Sequence, residues 1–466
     1  MCANCRRLQA ELGTALGRIA ELEERIRGLE AELRRGKRQA GPFSRERKKK
    51  NLKRPGRRPG EGRFRHRQPP ADSEINETHV VPLECCPECG GALEEISTHE
   101  QLQVDLPVVR PYWRRFLFQS GTCRNGTCRS CGRRVTSRHP EQVSVATGAA
   151  GVSVGPHTKA LAADLHHRLG VPYRKIAELF ESAFGLKLTA SALAQANTRL
   201  ADRLAGKAAP FYGEIAAHLA ESEAAHADET GWRVAGESSW LWVFTHADAT
   251  LYVIDPRRSH EVVLDVLSEA FEGVLISDGL ATYDHRALAG FRKQKCFAHL
   301  LRALSEIEHA KSRGAVRFAR AVAAVLRDAL TLGHEREDLT PAVFAARRAE
   351  IEQHLDALIS RDRHFTDPDN ARMARRLRRQ RPHLFTFLDQ PGVEATNNRA
   401  ERQIRPAVLT RKTGGCNRSP PGARTHEILA SVLVTLRQQR RDILGFLEAV
   451  LTSSGPLPQL LPAPAT

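Results

Sequence analysis

The sequence predicts a multidomain α/β protein, and three observations carry that prediction. A heptad pattern of leucine and isoleucine runs straight into a strongly basic stretch. Two C-x-x-C pairs and a helical region come next. From residue 226 onward, short β-type runs alternate with helical ones, as in an α/β unit. At 466 residues the chain can bury several cores.

The formal net charge is +17, and it is concentrated at one end. Residues 1–67 hold 21 Lys/Arg against 8 Asp/Glu, which leaves the body close to neutral. Such an arm implies an anionic partner. DNA fits better than a membrane surface, because the arm has no amphipathic helix with large apolar anchors. No apolar run is long enough for a signal region or a membrane span, so a cytoplasmic, nucleoid-associated location is expected. Four of the ten cysteines fall in the two C-x-x-C pairs, which in a reducing compartment points to metal rather than disulfides.

Residues 1–36 read as a coiled coil. Leu12, Ile19, Ile26 and Leu33 occupy a positions and Leu8, Ala15, Leu22 and Leu29 occupy d. Isoleucine at a with leucine at d favours two parallel strands, hence a homodimer or higher assembly. The other reading is one amphipathic helix packed on its own domain. Residues 37–79 read as a basic disordered linker, in which Lys48, Lys49, Lys50, Arg57 and Arg58 grip phosphates without reading sequence.

Residues 80–137 form a predicted zinc-binding domain. Cys86 and Cys89 make one pair, Cys128 and Cys131 the other, and a glycine follows each. Four thiolates suit a closed tetrahedral structural zinc. The stretch between them is β-rich, with "LQVDLPVV" and "YWRRFLFQ". Residues 138–215 are helical and resemble a helix-turn-helix, with stripes Leu161/Leu165/Leu169 and Ile176/Leu179/Phe180/Phe184. Thr189 caps a third helix that offers Ser191, Gln195, Asn197 and Arg199 to a groove. A plain three-helix packing reads the same way.

Residues 216–304 begin the α/β core. "HADETGWRV", "SSWLWVFTH" and "TLYVID" are strand-like, "SHEVVLDVLSEAF" is helical, and "GVLIS" is a further strand. Residues 305–390 are helical throughout and read as an all-α insertion. Residues 391–415 return to the core as a helix beginning near Ala395 and ending at Pro406, and 416–466 are a helical segment with a Pro-rich tail.

Two acids stand out by position. Asp228 lies in the first strand, and Asp278 emerges at the end of "GVLIS", the edge where ligands gather in α/β sheets. A third acid on a nearby helix completes an oxygen cage for two magnesium ions, and Glu401 fits that place. Asn397, Asn398 and Arg405 share its face, and Arg402, Arg411 and Lys412 extend the basic character for DNA phosphates. A lone Asp at a strand end is more often a turn former, and Glu229, Asp248, Asp255, Asp284 and Glu394 compete with the chosen three.

"HADETGWRV", "ISDGLATYDH", "QKCFAHLLR" and "NNRAERQIRPAVLTRK" together resemble the transposases of the insertion sequence 66 family. The upstream "CCPECGGAL" and "CRSCG" and the leucine-rich coil are similar to that family too. The resemblance implies a ribonuclease-H-like catalytic core, interrupted by a helical insertion, with a DDE triad of Asp228, Asp278 and Glu401. It further implies magnesium or manganese at that site, cleavage at the element's terminal repeats, joining of 3′ hydroxyls to target DNA, and accessory proteins of the same element. Two departures stand out: Phe297 where tryptophan is expected, and "TGGCNRS" after Lys412. Cys296 and His299 form a C-x-x-H, read as a structural or DNA-facing pair because no second ligand pair is evident. The alternatives are a regulator that binds DNA without catalysis and a nuclease that cuts without joining. A tyrosine or serine recombinase is disfavoured, because no tyrosine sits in an Arg/His-rich C-terminal context.

Overall fold

The computed structural model describes residues 13, 16–19, 21–26, 68–123, 134–143, 152–207, 210–312, 314–453 and 456–461. Lys48, Lys49, Lys50, Arg57, Arg58, Cys128 and Cys131 lie outside the described residues, as does most of the heptad stretch. Of the heptad positions, Ile19, Leu22 and Ile26 are helical and more than half exposed. The chain divides into two units, residues 43–111 and the remainder.

Within 43–111 the described regular structure is a 3-10 turn, Asp72–Glu74, and a tight turn at the first cysteine pair. Gly90 takes φ +74° and donates its N–H to the Cys86 carbonyl at 2.8 Å, while Cys86 N–H reaches Gly91 O at 3.0 Å. That left-handed position suits glycine alone at low cost. The turn aims the amides of Glu88 and Cys89 at the Cys86 sulfur and holds its thiol below the usual range. The β character expected of "LQVDLPVV" is not realised. Val104 and Leu106 are exposed there, so no buried face sets a pairing register.

Past residue 111 the larger unit continues with a short antiparallel hairpin, β1 (Ser120–Thr122) and β2 (Arg134–Thr136). Three helices follow: α1 (Pro156–Ala163), α2 (Tyr173–Phe184) and α3 (Ala190–Leu204). Ile176, Phe180 and Leu193 form their shared core, Gly185 ends α2 in the left-handed conformation, and the Thr189 hydroxyl accepts from Ala192 N–H at 3.1 Å. Two expectations are corrected. Asp164–Arg168 form a π turn after α1, and the extra residue shifts the helical phase, leaving Leu169 half-exposed and His167 buried. Asn197 is fully buried and donates to the Tyr173 hydroxyl at 3.1 Å, so it faces the bundle and not a groove.

His167 shares a 3.1 Å hydrogen bond with His426, whose ring stacks on Trp232. Burial pushes the His426 imidazole down to about 3, and His167 well below its ordinary value. A base whose folded pKa lies below its unfolded one stabilises the fold above the unfolded value and withdraws that stability as pH falls. His426 alone should therefore cost about 2 kcal/mol between pH 7.5 and pH 5. Asp228 and Glu427, raised by burial, act in the opposite sense, so the informative comparison is between proteins. Urea unfolding of His426→Gln should lose less stability than the parent on going to pH 5; parallel losses would contradict this account.

After α4 (Phe211–Ala220) comes a five-stranded mixed sheet: β3 (Ala224–Val234), β4 (Glu237–Thr245), β5 (Thr250–Asp255), β6 (Val274–Ser277) and β7 (Arg292–Lys295). Its order is β5-β4-β3-β6-β7. The first three strands are antiparallel neighbours, Asp228 opposing Val243, and β6 and β7 run parallel to β3. α5 (His260–Leu267) makes the crossover between β5 and β6. β7 is missing from the sequence reading because "RKQK" has no apolar alternation. Its Lys293, Gln294 and Lys295 are nevertheless buried, with Lys295 paired to Asp284 at 2.6 Å.

Side-chain alternation splits the sheet between two cores. Trp242 and Phe244 face α4 and α5, whereas Leu241, Val243 and Trp232 face the other side. Burying each such side chain contributes about 1.5–3 kcal/mol.

The helical insertion has a core of its own and consists of α6 (Phe297–Ala310), α7 (Ala315–His334), α8 (Pro341–Ile359), α9 (Pro368–Gln380) and α10 (Thr386–Asp389). α6 starts before the expected boundary at 305. The insertion is tied to the sheet through Gln294, which accepts from Phe387 N–H at 3.0 Å and donates to Leu384 O at 2.9 Å.

α11 (Asn398–Gly414), α12 (Pro420–Gln438) and α13 (Ile443–Thr452) complete the unit. α11 continues through Pro406 instead of ending there. The missing N–H affects only the Arg402 carbonyl, on the exposed side, and packing of Ala400, Ile404 and Ala407 on the sheet offsets that loss. α12 lies along the edge strand. Glu427, Ser431 and Thr435 accept from the N–H groups of Ile254, Tyr252 and Thr250 at 2.6, 2.9 and 3.0 Å. Every fourth helical residue advances about 6 Å, close to two strand residues, so one helix face satisfies one strand edge. Among the described residues no helix is long and apolar enough to cross a membrane.

Candidate active site

Asp228 sits mid-way along the central strand β3, and Asp278 leaves the end of the adjacent parallel strand β6. Glu401 lies in the first turn of α11, which packs across β3 and β4. Burial, with the neighbouring charges of Glu229, Asp278 and Glu401, pushes the Asp228 carboxyl up to about 7. The three acids chosen from the sequence are thus brought within electrostatic reach of one another.

The five competing acids are held differently. Glu229 pairs with Arg258 at 2.8 Å and accepts from the Tyr283 hydroxyl at 2.7 Å. Asp248 binds His218 at 3.0 Å, Asp255 pairs with Arg257 at 2.9 Å, Asp284 with Lys295 at 2.6 Å, and Glu394 with Arg399 at 2.6 Å. Among the described residues, Asp228, Asp278 and Glu401 form no ion pair with lysine or arginine, and Oε1 of Glu401 is buried with no hydrogen-bond partner. Their oxygens do not all lie within 4.8 Å of one another, as expected of like charges with nothing between them. An acceptor-only set of carboxylates without a lysine or arginine ion pair fits a hard divalent cation.

Cations line the approach. A cleft of about 380 Å³ is bounded by Asp278, Gly279, His299, Arg302 and Arg376. Arg376 comes from α9 of the insertion and packs so closely that a Cβ at Gly279 would strike its guanidinium. Neither arginine was singled out by the sequence, because each is one of many in a helical run. Arg402, Arg405 and Lys412 are exposed along α11 and form no ion pair among the described residues; Asn398 is half-exposed.

Two residues expected to contact DNA are placed elsewhere. Arg411 turns back to β3, donating to Thr230 Oγ1 at 2.9 Å and to Gly231 O at 2.5 Å. Asn397 is fully buried. It donates to Ala227 O at 2.8 Å and accepts from His226 Nδ1 at 3.2 Å, and its backbone N–H points to Cys296 Sγ at 3.1 Å. It therefore fixes the start of α11, and with it Glu401, against the strand carrying Asp228. Burial also holds the His226 ring down to about 4, which keeps it neutral in this bond.

A family model described as Transposase IS66 family matches residues 151–425, more than half of the chain and the whole span from α1 to the start of α12. The uncharacterised protein y4qI of Sinorhizobium fredii is 25% identical over 270 residues, covering 51% of this chain and 49% of that protein. The chain thus spans about half the length of that curated relative.

Proposed function

This chain belongs to the Transposase IS66 family, and from that premise we propose that it cuts the ends of an insertion sequence and joins the freed 3′ hydroxyls to target DNA. The observation that carries the chemistry is the contrast between acids: among the described residues Asp228, Asp278 and Glu401 pair with no lysine or arginine, whereas Glu229, Asp255, Asp284 and Glu394 each do. The strand order, three antiparallel strands followed by two parallel ones, supports a ribonuclease-H-like core around them.

In this reading the three carboxylates hold magnesium or manganese. A divalent ion bound there supplies activation of the attacking hydroxyl and stabilises charge on the leaving 3′ oxygen. Asn397 and His226 orient Glu401 toward Asp228, while Arg302 and Arg376 receive phosphates in the cleft. Arg402, Arg405 and Lys412 extend that contact along α11, joined by the basic residues Lys48, Lys49, Lys50, Arg57 and Arg58. α1–α3 serve as the helix-turn-helix that reads the terminal repeats. Cys86 and Cys89 hold a structural zinc with Cys128 and Cys131, and the N-terminal heptads pair two copies so that both element ends are gripped.

The test uses the full chain with DNA carrying the inverted repeats that flank its gene. With Mg²⁺, 3′ ends should be cut and joined to a target. Asp278→Asn and Glu401→Gln should each lose joining by about a thousandfold while binding the repeats unchanged. Cutting without joining would favour a nuclease, and binding without either would leave a regulator.

A further inference from the structure

The C-x-x-H of residues 296–299 has the third ligand that its sequence lacks. Cys296 is the N-cap of α6, His299 lies three residues on, and Glu401 reaches them from α11. One donor atom from each, Cys296 Sγ, a His299 ring nitrogen and a Glu401 oxygen, falls within 4.8 Å of the other two. His299 Nδ1 and Glu401 Oε1 face each other at 3.6 Å, and both atoms are buried without a hydrogen-bond partner. Two orphaned buried polar atoms aimed at one point are costly unless something occupies it.

The sulfur is prepared in a way that ordinary buried cysteines are not. The backbone N–H of Asn397 points at Cys296 Sγ at 3.1 Å, as amides do around metal-bound thiolates. A cation between the three side chains would give both orphaned atoms a partner. A thiolate, an imidazole and one carboxylate oxygen form a soft, mixed donor set that favours zinc over magnesium.

We propose that Cys296, His299 and Glu401 form a binding site for a thiophilic divalent cation, zinc, that shares Glu401 with the carboxylate cluster. Occupancy draws Glu401 toward α6 and away from Asp228 and Asp278, so zinc competes with the hard ion of the proposed reaction. The binding part stands on these three side chains alone; only the competition rests on the proposed function.

The first measurement needs no DNA. Full-length protein stripped of metal is titrated with Co²⁺, which reports thiolate ligation by its charge-transfer absorbance. The parent should take up one equivalent more than Cys296→Ser or His299→Gln, with thermal unfolding used to confirm that each variant is folded. Equal uptake by the parent and both folded variants would overturn the site. The second measurement adds Zn²⁺ to Mg²⁺-supported joining, and the zinc needed for half-inhibition should rise about tenfold in Cys296→Ser. Unchanged inhibition in that variant, with the uptake difference intact, would overturn the competition and leave the site. Absence of joining in the parent would count against the proposed function, and the cobalt result would still decide the site.

Discussion

Asp228→Asn is expected to reduce strand joining by about a thousandfold or more, leave repeat binding intact, and raise the melting temperature of the metal-free protein. The first effect corresponds to about 4 kcal/mol, the scale on which a divalent ion stabilises charge in such reactions. The second follows because the DNA contacts proposed above lie on other residues. The third follows from the local electrostatics: Asp228 is partly buried beside Glu229, Asp278 and Glu401 and has no cationic partner. An amide of the same shape keeps the bond from Glu229 N–H to Oδ1 and removes the repulsion. About 1 kcal/mol of relief in a unit of this size raises the midpoint by roughly 1 °C. Calorimetry in chelator and a joining assay in Mg²⁺ test the two halves separately. A variant less stable than the parent would show that Asp228 is compensated after all.

Asn397→Ala should be strongly destabilising, by about 3 kcal/mol, since it strands the Ala227 carbonyl and the His226 N–H in a buried place. Joining should fall even where the protein remains folded, because α11 loses the strut that sets Glu401 against β3. Asn398→Ala, one residue along and half-exposed, should change stability by less than about 0.5 kcal/mol. Urea unfolding of the two variants side by side is decisive. Equal stability losses would mean that the buried hydrogen bonds contribute nothing beyond helix propensity.

These paired asparagines show where the sequence was legible and where it was not. Strands β3 to β6, and the places of Asp228 on β3 and of Asp278 just after β6, could be read because apolar alternation and a strand end mark them. Glu401 was found as the lone acid in a basic helix, and long motifs shared with a known family reinforced it. Asn397 was misread as a DNA contact, since an asparagine at a helix start looks the same whether it meets a phosphate or a carbonyl. Only β3 arriving from 170 residues away in sequence decides between them. Strand β7 escaped for a related reason: its buried lysines are tolerated through partners such as Asp284, which no local pattern reveals. The closeness of Cys296 and His299 to Glu401 was hidden by the insertion that separates them in the chain.

The clasp of α12 on β5 ties the timing of synthesis to competence. The strand N–H of Thr250 waits for the hydroxyl of Thr435, 185 residues later. At ribosomal speeds that interval is roughly 10 to 40 s. During it the nascent chain has an open strand edge, an attractive target for holding chaperones, and for most of it no Glu401. The basic arm proposed to grip DNA emerges first, and Glu401, with Arg402, Arg405 and Lys412 beside it on α11, arrives late. A chain ending before residue 401 would lack α11, α12 and α13, and with them Leu429, Leu433 and Leu447, which share one core with Ala160, Leu200 and Leu204 of the first helices.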